Sequence, residues 1–456
     1  MLAASIAFMF LPGEQMTAAR KKVYPRNSPG RFRNLRNLLS ILLQALLFWL
    51  PWLQWHSRQA VLADLPGRKL YLFGLVLHPQ DNYFLLLITI IAVLLISGVS
   101  TLAGRIWCGF ACPQTIFTQA FIGVERFFEG DRAARLRLDK AGWDAKKIRT
   151  KAMKWSVWTV MGIWLGITFA GYFLPIRELM HQFTSAQVDF NTGLVVLLFT
   201  GFSLFDFGYF REQFCQHVCP YARLQGTMLD SDSIIVGYDS GRGEPRGKLK
   251  QAGRGSCVDC SMCVQVCPAG IDIRQGLQSE CIGCTACIDA CDDIMDKVKQ
   301  PRGLIRFTSL NELEGRPTQI VRPRMVIYSV ALAALSSLLI FLIVTRSPIG
   351  LDCERLVKPG GEMASSTPDG RVCNLFKAHL VNRLAEPVEL QVQLADLPGA
   401  EVMGNRSLRL ASGQVEELQL LVVAPVSLGR GIHPFRFVAA SSDGVSVSSL
   451  ATFFIP

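Results

Sequence analysis

The stretch CVDCSMCVQVCPAGIDIRQGLQSECIGCTACIDAC, Cys257 to Cys291, decides how the rest of the chain is read. Cys257, Cys260, Cys263 and Cys267 follow the spacing C-x2-C-x2-C-x3-C, and Pro268 comes next. Cys281, Cys284, Cys287 and Cys291 repeat that spacing, with Asp292 in place of the proline. Three thiolates on a tight loop hold three irons of a cubane, while the fourth, farther along on a helical turn, reaches the other cluster. The expectation is two [4Fe–4S] clusters, one on Cys257, Cys260, Cys263 and Cys291, the other on Cys281, Cys284, Cys287 and Cys267. Paired C-x2-C motifs also build zinc sites, but two consecutive copies of the whole run are more specific. Asp289, Asp292 and Asp293 crowd the Cys291 end and should favour the more oxidised cluster charge. Two clusters in series make an electron relay.

The surrounding chain is too apolar for an ordinary soluble protein, with half of its 456 residues hydrophobic and only 18% charged. Five runs approach the ~20 residues needed to cross a bilayer: Leu38–Trp55, Tyr83–Ala103, Trp155–Leu174, Thr192–Phe210 and Val326–Thr345. Asp206 weakens the fourth. Eleven Lys/Arg lie between Arg105 and Lys154, and a further group precedes the first span, whereas the loops His56–Asn82 and Pro175–Asn191 hold three and one. That bias predicts a bacterial inner-membrane protein whose N-terminus, loop 104–154 and cysteine-rich insert are cytoplasmic. An odd number of spans puts the tail in the periplasm. The reducing cytoplasm argues against a disulfide framework for the eight cysteines. The net charge of +11 is read as an orientation signal rather than a nucleic-acid surface. Leu2–Leu11 is too short to span and lacks a cleavage signal. It is expected to be an extension, or upstream sequence if synthesis starts at Met16.

Two further pairs need a use: Cys108/Cys112 in IWCGFACPQT and Cys215/Cys219 in FCQHVCPYA. Each follows an even-numbered span, so both arrive at the same membrane face. A C-x3-C spacing on a helix stacks two sulfurs on one side, and Pro113 and Pro220 are expected to end the helices just beyond. Arg105 and Arg211 should lower the thiol pKa values. His217 is an additional candidate ligand. Buried structural cysteines are the plain alternative, but the duplication favours function. Thiolates select copper(I), zinc or iron–sulfur, and copper(I) is the choice that gives neighbouring redox clusters a task. All six histidines (His56, His78, His181, His217, His379, His433) fall in loops, at span edges or in the tail, which argues against membrane haem.

Beyond Arg346 the pattern becomes alternating, in Val388–Leu394, Glu417–Val423, Phe435–Ala439 and Val445–Ile455, with Pro and Gly at intervals of ~10 residues. That predicts an immunoglobulin-like β-sandwich. Cys353 and Cys373 are expected to form a disulfide there, with metal capture as the sharper alternative. The fold class is therefore a multi-domain membrane protein: a five-helix α-helical transmembrane bundle, a ferredoxin-like insert and a C-terminal all-β sandwich. The divisions expected are 1–36, a basic segment; 37–210, four spans; 211–324, the insert, with its core at 250–300; 325–345, the fifth span; and 346–456, the sandwich.

The stretches GRFRNLRN, LPWLQW, GRIWCGFACPQT, VERFFEGDR, REQFCQHVCPYARLQ, YDSGRGEPRG, the eight-cysteine run and GRVCNLFKAHLVN together resemble the cytochrome c oxidase accessory family CcoG, also called FixG or RdxA. The likeness runs from about Val23 to the end. It implies a role in assembling cbb3-type oxidase by reducing cytosolic copper(II) to copper(I), with Cys108, Cys112, Cys215 and Cys219 as the copper-linked residues. The implied partners are a cytosolic electron donor, a copper transporter or chaperone, and oxidase assembly factors; a homodimer is open. Two alternatives stay open as well: an electron-transfer subunit akin to the membrane ferredoxins of quinol dehydrogenases, and a non-catalytic assembly scaffold. Cys353, Cys373 and the residues before Met16 depart from the family pattern.

Overall fold

The computed structural model of the chain describes residues 22–456 apart from 56–57, 66, 74, 78–80, 250, 357–363, 367–369, 385, 405, 412, 442–443 and 445. Leu2–Leu11, Met16, His56 and His78 therefore lie outside the described residues. The chain divides into two compact units, one of Met1–Trp49, Ile90–Ala170 and Leu179–Ala333, the other of Leu50–Thr89, Gly171–Glu178 and Ala334–Pro456. The helices that matter for the site are α1 (Arg31–Trp49), α2 (Asn82–Ala103), α3 (Ile106–Phe110), α4 (Pro113–Glu129), α5 (Ala145–Ala170), α6 (Phe190–Ser203), α7 (Pro220–Met228), α8 (Ala286–Lys297) and α9 (Pro323–Val344).

Four segments are long and apolar enough to cross a membrane, Arg31–Trp52, Asn82–Ala103, Phe190–Phe210 and Pro323–Val344, not the five expected. The run that falls short is Trp155–Leu174. Its helix, α5, starts at Ala145 and carries Lys146, Lys147, Arg149, Lys151 and Lys154 before any apolar residue run begins. It ends at Ala170, and its apolar half is diluted by Trp155, Trp158 and Trp164. Instead of standing alone, α5 lies antiparallel against α6. Gly162 meets Thr200, and a Cβ on Gly166 would come within 2.8 Å of the Val196 carbonyl oxygen. Phe169 and Phe199 stack at 5.1 Å. The glycines four apart let the two backbones approach, as small residues do between membrane helices. By contrast, α9 buries none of its residues and keeps an apolar surface all round, as a lipid-facing helix requires.

The ferredoxin-like part of the first unit is a duplicated loop. Asp259 and Ser261 have positive φ, and so do Gly283 and Thr285 at the equivalent places of the second copy. Each pair turns a C-x2-C-x2-C loop before a helix begins, Met262–Val266 in one copy and α8 in the other. Cys267 closes the short helix in extended conformation, whereas Cys291 sits inside α8, which continues to Lys297. The missing proline after Cys291 accounts for that difference. The three acidic residues near Cys291 are also committed to protein partners. Asp289 accepts from the backbone N–H groups of Phe32 and Arg33 and so caps α1. Asp292 accepts from Gly303 N–H, and Asp293 pairs with Lys297. A short antiparallel ladder, Ile235–Tyr238 with Ile305–Thr308, backs the two loops.

In the second unit, the tail forms two antiparallel sheets. One has the order Glu401–Met403, Val415–Ala424, Val372–Asn382, Ile349–Leu356; the other Ser407–Leu410, Val388–Ala395, Gly431–Ser441, Ser446–Ile455. Phe376, Phe435 and Phe437 meet edge-to-face at its centre, all essentially excluded from solvent. This is the expected sandwich, with Ile349–Leu356 and Val372–Asn382 as strands that the alternation did not single out. The expected disulfide is not there: Cys353 and Cys373 are both free. Cys353 stands opposite Ala378 on the neighbouring strand, and Cys373 opposite Val423. Five residues of strand, roughly 16 Å at ~3.3 Å each, separate Cys373 from the position facing Cys353. A disulfide spans less than about 7 Å between Cα atoms. Residues Val61–Asp64, Lys69–Leu72 and Leu75–Leu77, read as plain loop, form a small antiparallel sheet of their own.

The Gly166 contact is testable. Gly166→Leu should lower the thermal unfolding midpoint in detergent by several degrees, because its Cβ meets backbone. Gly201→Ala, whose Cβ enters open space on the same hairpin, should leave the midpoint in place.

Candidate functional site: two cysteine cavities and a four-thiol chamber

Cys257, Cys260, Cys263 and Cys291 line one cavity, closed by Tyr238, Met262, Arg274 and Ile305. Cys267, Cys281, Cys284 and Cys287 line a second, together with Cys263, Ile271 and Ile273. Ile273 and Ile288, both buried, belong to the same hydrophobic core as Cys257 and Cys263, against which Cys281, Cys287 and Cys291 also pack. Burial pushes the Cys263 thiol up to about 11 and the Cys267 and Cys291 thiols up to about 12, and it raises Cys281 and Cys287 as well. Burial disfavours the bare thiolates of these five, so a cluster bound here would displace their protons as it forms. Four soft donors around each cavity, with apolar walls, fit a [4Fe–4S] cluster.

The two C-x3-C-P pairs meet in the same unit. The second cysteine of each pair does not sit on the helix of the first. Cys108 lies in α3, while Cys112 is extended (φ −66°, ψ 127°) and caps α4, with Pro113 as its first helical residue. Cys215 lies in a widened helical turn, Phe214–Val218, and Cys219 (φ −67°, ψ 111°) caps α7 with Pro220 at its first position. The prolines thus start helices instead of ending them. Their missing N–H is no loss at a first turn, and they force the preceding cysteine into extended backbone.

Contacts between their elements gather the four thiols into one chamber: the Cys108 Sγ donates to Gln225 Oε1 at 3.4 Å on α7, the helix that Cys219 caps, and Gln114, two residues past Cys112, donates to the Arg211 carbonyl ahead of Cys215. Cys108 is 8% exposed and the other three are partly buried. Burial pushes Cys108 and Cys215 up to about 12 and raises Cys112, with the neighbouring thiols adding to it. The expectation that Arg105 and Arg211 would lower these values fails. Arg105 opposes the shift at Cys108 but is outweighed by desolvation. Arg211 is 2.9 Å from Glu125. His217 is exposed, and its carbonyl accepts from Arg223. Among the described residues, no three Cys, His, Asp or Glu side chains sit close enough to share a single metal ion.

The chamber abuts the second cavity directly. A Cβ on Gly109 would lie 2.6 Å from the Gly283 carbonyl oxygen and 3.0 Å from the Cys284 Cα, so α3 touches the Cys281–Cys287 loop backbone to backbone. Arg36 donates to the Cys284 carbonyl from the other side. Cys108 is thus one residue from a glycine in contact with the loop that carries Cys284.

An ionic hub that the sequence reading missed holds these pieces. Glu125, 0% exposed, sits among Arg211 (2.9 Å), Arg135 (3.5 Å), Lys154 (3.5 Å) and Lys22 (3.6 Å). One turn on, Glu129 meets Lys154 at 2.7 Å and Lys151 at 2.8 Å, and Asp139 binds Lys22, Lys151 and the Tyr24 hydroxyl. Four of the basic residues read as an orientation signal, Lys22, Arg135, Lys151 and Lys154, are therefore paired with carboxylates inside the protein. The signal was present in VERFFEGDR, where two carboxylates four apart lie on the face that α4 buries. Burial alone would raise the Glu125 carboxyl, but Arg211, Lys154 and Lys22 hold it at about 2.

Comparisons with known proteins agree with this layout. A 4Fe-4S dicluster domain matches residues 210–310, a 4Fe-4S binding domain matches 85–129, and the IG-like fold at the C-terminal of FixG matches 339–456. Protein RdxA of Cereibacter sphaeroides is 36% identical over 387 residues, covering 82% of both chains. The chain belongs to the FixG/RdxA family. Protein RdxB of the same organism is 36% identical over 396 residues (83% of this chain, 82% of the other). Nitrogen fixation protein FixG of Rhizobium meliloti is 34% identical over 424 residues (84% and 80%). With its 4Fe-4S domains, this FixG/RdxA chain is an iron–sulfur electron-transfer protein.

Two predictions follow from this packing. Because the Glu125 carboxyl is depressed, its stabilisation is complete above the ordinary carboxylate range and is lost as pH falls toward 2. The thermal midpoint should be flat from pH 8 to 5 and drop below pH 4, and Glu125→Gln should already cost several degrees at pH 7. Gly109→Val should push α3 off the Gly283 loop and perturb the visible spectrum of the reconstituted protein. Gly123→Ala, with no neighbour near its Cβ, should leave that spectrum unchanged.

Proposed function

We propose that this protein takes electrons from a cytosolic donor and reduces copper(II) to copper(I) beside the four-thiol chamber, supplying copper for cbb3-type oxidase assembly. Cys257, Cys260, Cys263 and Cys291 would hold one [4Fe–4S] cluster, and Cys281, Cys284, Cys287 and Cys267 the other. When bound, such clusters supply electrons one at a time, which suits a metal that changes by one unit of charge. The observation that carries the reading is the glycine contact of α3 with the Gly283–Cys284 loop, which makes the chamber the outlet next to the second cavity. A small, largely apolar cavity, with Ile122, Pro268 and Ile282 in its wall, lies there and includes Cys215, Glu212 and Glu280 in its lining. Its two carboxylates favour the approach of a cation.

In the proposed orientation the N-terminal segment, the chamber and the cysteine cavities face the cytoplasm and the sandwich faces the periplasm. In this reading α5 enters only as the partner of α6, the hairpin leaving by the face it entered, so both cysteine pairs share one end, and α1, α2 and α9 are the three single crossings that put the tail on the other. Copper(I) leaves by exchange with a thiol-bearing transporter or chaperone.

One observation favours a second reading. An apolar cavity of about 220 Å³ lies at the end of α2, lined by Arg105, Ile106, Leu229, Leu277, Gln278 and Cys281 among others. That place suits a quinol delivering electrons from the bilayer, as in the membrane ferredoxins of quinol dehydrogenases.

Replacing Cys108, Cys112, Cys215 and Cys219 by serine separates the readings. The copper reading expects copper(II) reduction to fall at least tenfold while the eight-cysteine region keeps its clusters. Lost quinol oxidation with unaltered copper chemistry would favour the quinol reading. Oxidase assembly indifferent to every cysteine, yet lost on deleting Arg346–Pro456, would leave only a scaffold.

A further inference from the structure

We propose that Cys108, Cys112, Cys215 and Cys219 ligate a third [4Fe–4S] cluster, shared between the two halves of the membrane region. The inference deepens the outlet reading of the chamber and rests on it only for the direction of electron flow.

Three observations carry it. First, backbone conformation: Cys112 and Cys219 adopt φ −66°, ψ 127° and φ −67°, ψ 111°, and each precedes a proline. Cys267, which lines the second cysteine cavity and precedes Pro268, adopts φ −69°, ψ 120°. All three cysteines follow a short helical turn in extended backbone before a proline, although Pro113 and Pro220 go on to start helices and Pro268 does not; one of the three belongs to the eight-cysteine run.

Second, placement: the Cys108 Sγ donates to Gln225 Oε1 at 3.4 Å on the helix that Cys219 caps, and Gln114, two residues past Cys112, donates to the Arg211 carbonyl just ahead of Cys215. Two pairs brought together in this way offer four thiolates, one for each iron of a cubane, and among the described residues no three Cys, His, Asp or Glu form a site for a single ion.

Third, the 4Fe-4S binding domain matched over residues 85–129 covers a stretch whose only cysteines are Cys108 and Cys112. Two ligands do not hold a cubane. The missing two come from Cys215 and Cys219, drawn in when Glu125 of α4 binds Arg211 just ahead of them.

The test uses the full chain, reconstituted anaerobically with iron and sulfide in detergent and freed of excess reagent. Iron and acid-labile sulfide are counted per chain, and Mössbauer spectra identify the centres. The wild type should hold about 12 iron and about 12 sulfide, all as [4Fe–4S], at four per cluster. Cys108→Ser/Cys215→Ser should lower both to about 8. Should that variant fail to fold, the wild-type count decides alone.

About 8 iron in the wild type overturns the proposal, whether or not a thiol-bound copper(I) fills the chamber. About 10, with the spectrum of a two-iron centre, also overturns it. A chain with about 12 iron that does not reduce copper(II) would refute the copper reading and leave the third cluster standing.

Discussion

The architecture turns on a place where side chains are absent. Gly109 of α3 and Gly283 of the second cysteine loop bring two backbones into contact, and any Cβ on Gly109 would be driven into a carbonyl oxygen. Electron transfer falls off steeply with distance, so a contact without side chains between two cysteine-bearing segments is the economical way to join them. The duplicated loop on one side and the Cys-Pro junctions on the other are rigid pieces. Their use depends on this seam.

The seam is held shut from a distance by charge. Glu125 and Glu129 would be costly to bury alone. Glu125 is surrounded by cations from separate parts of the chain, Lys22 before α1, Arg135 and Lys154 from the long loop and α5, and Arg211 ahead of Cys215, while Glu129 pairs with Lys151 and Lys154 of α5. Asp289 does a related task by capping α1 from within the ferredoxin-like helix α8. Gly30 leaves no room for a side chain beside that carboxylate. The first membrane helix is thereby tied to the helix that carries Cys287 and Cys291. A chain that moves electrons benefits from such stiffness, since its donors and acceptors must not drift.

The eight-cysteine run was legible because its ligands lie close together in sequence and its loop geometry is local. The C-x3-C-P pairs were legible as chemistry but not as geometry: Pro113 and Pro220 look the same at a helix end as at a helix start. The third apolar run looked like a span because Lys154 and its tryptophans were not set against the helix that α5 leans on. In the tail, alternation found the strands with one wet face. It missed Val372–Asn382, a central strand buried at most positions, and it could not read the register that keeps Cys353 from Cys373. The Glu125 hub was hidden for another reason. Its charges are scattered over nearly two hundred residues, and only the fold gathers them.

The central claim is that the two cysteine pairs, a hundred residues apart, form one chamber. The most direct measurement is cross-linking in intact membranes with a short bis-thiol-reactive reagent, on a chain keeping only Cys112 and Cys219 of its cysteines. The account predicts one efficient intramolecular cross-link, mapped by mass spectrometry to peptides Ile106–Arg126 and Glu212–Arg223. No cross-link, together with modification of the two thiols from opposite faces of the membrane, would contradict it.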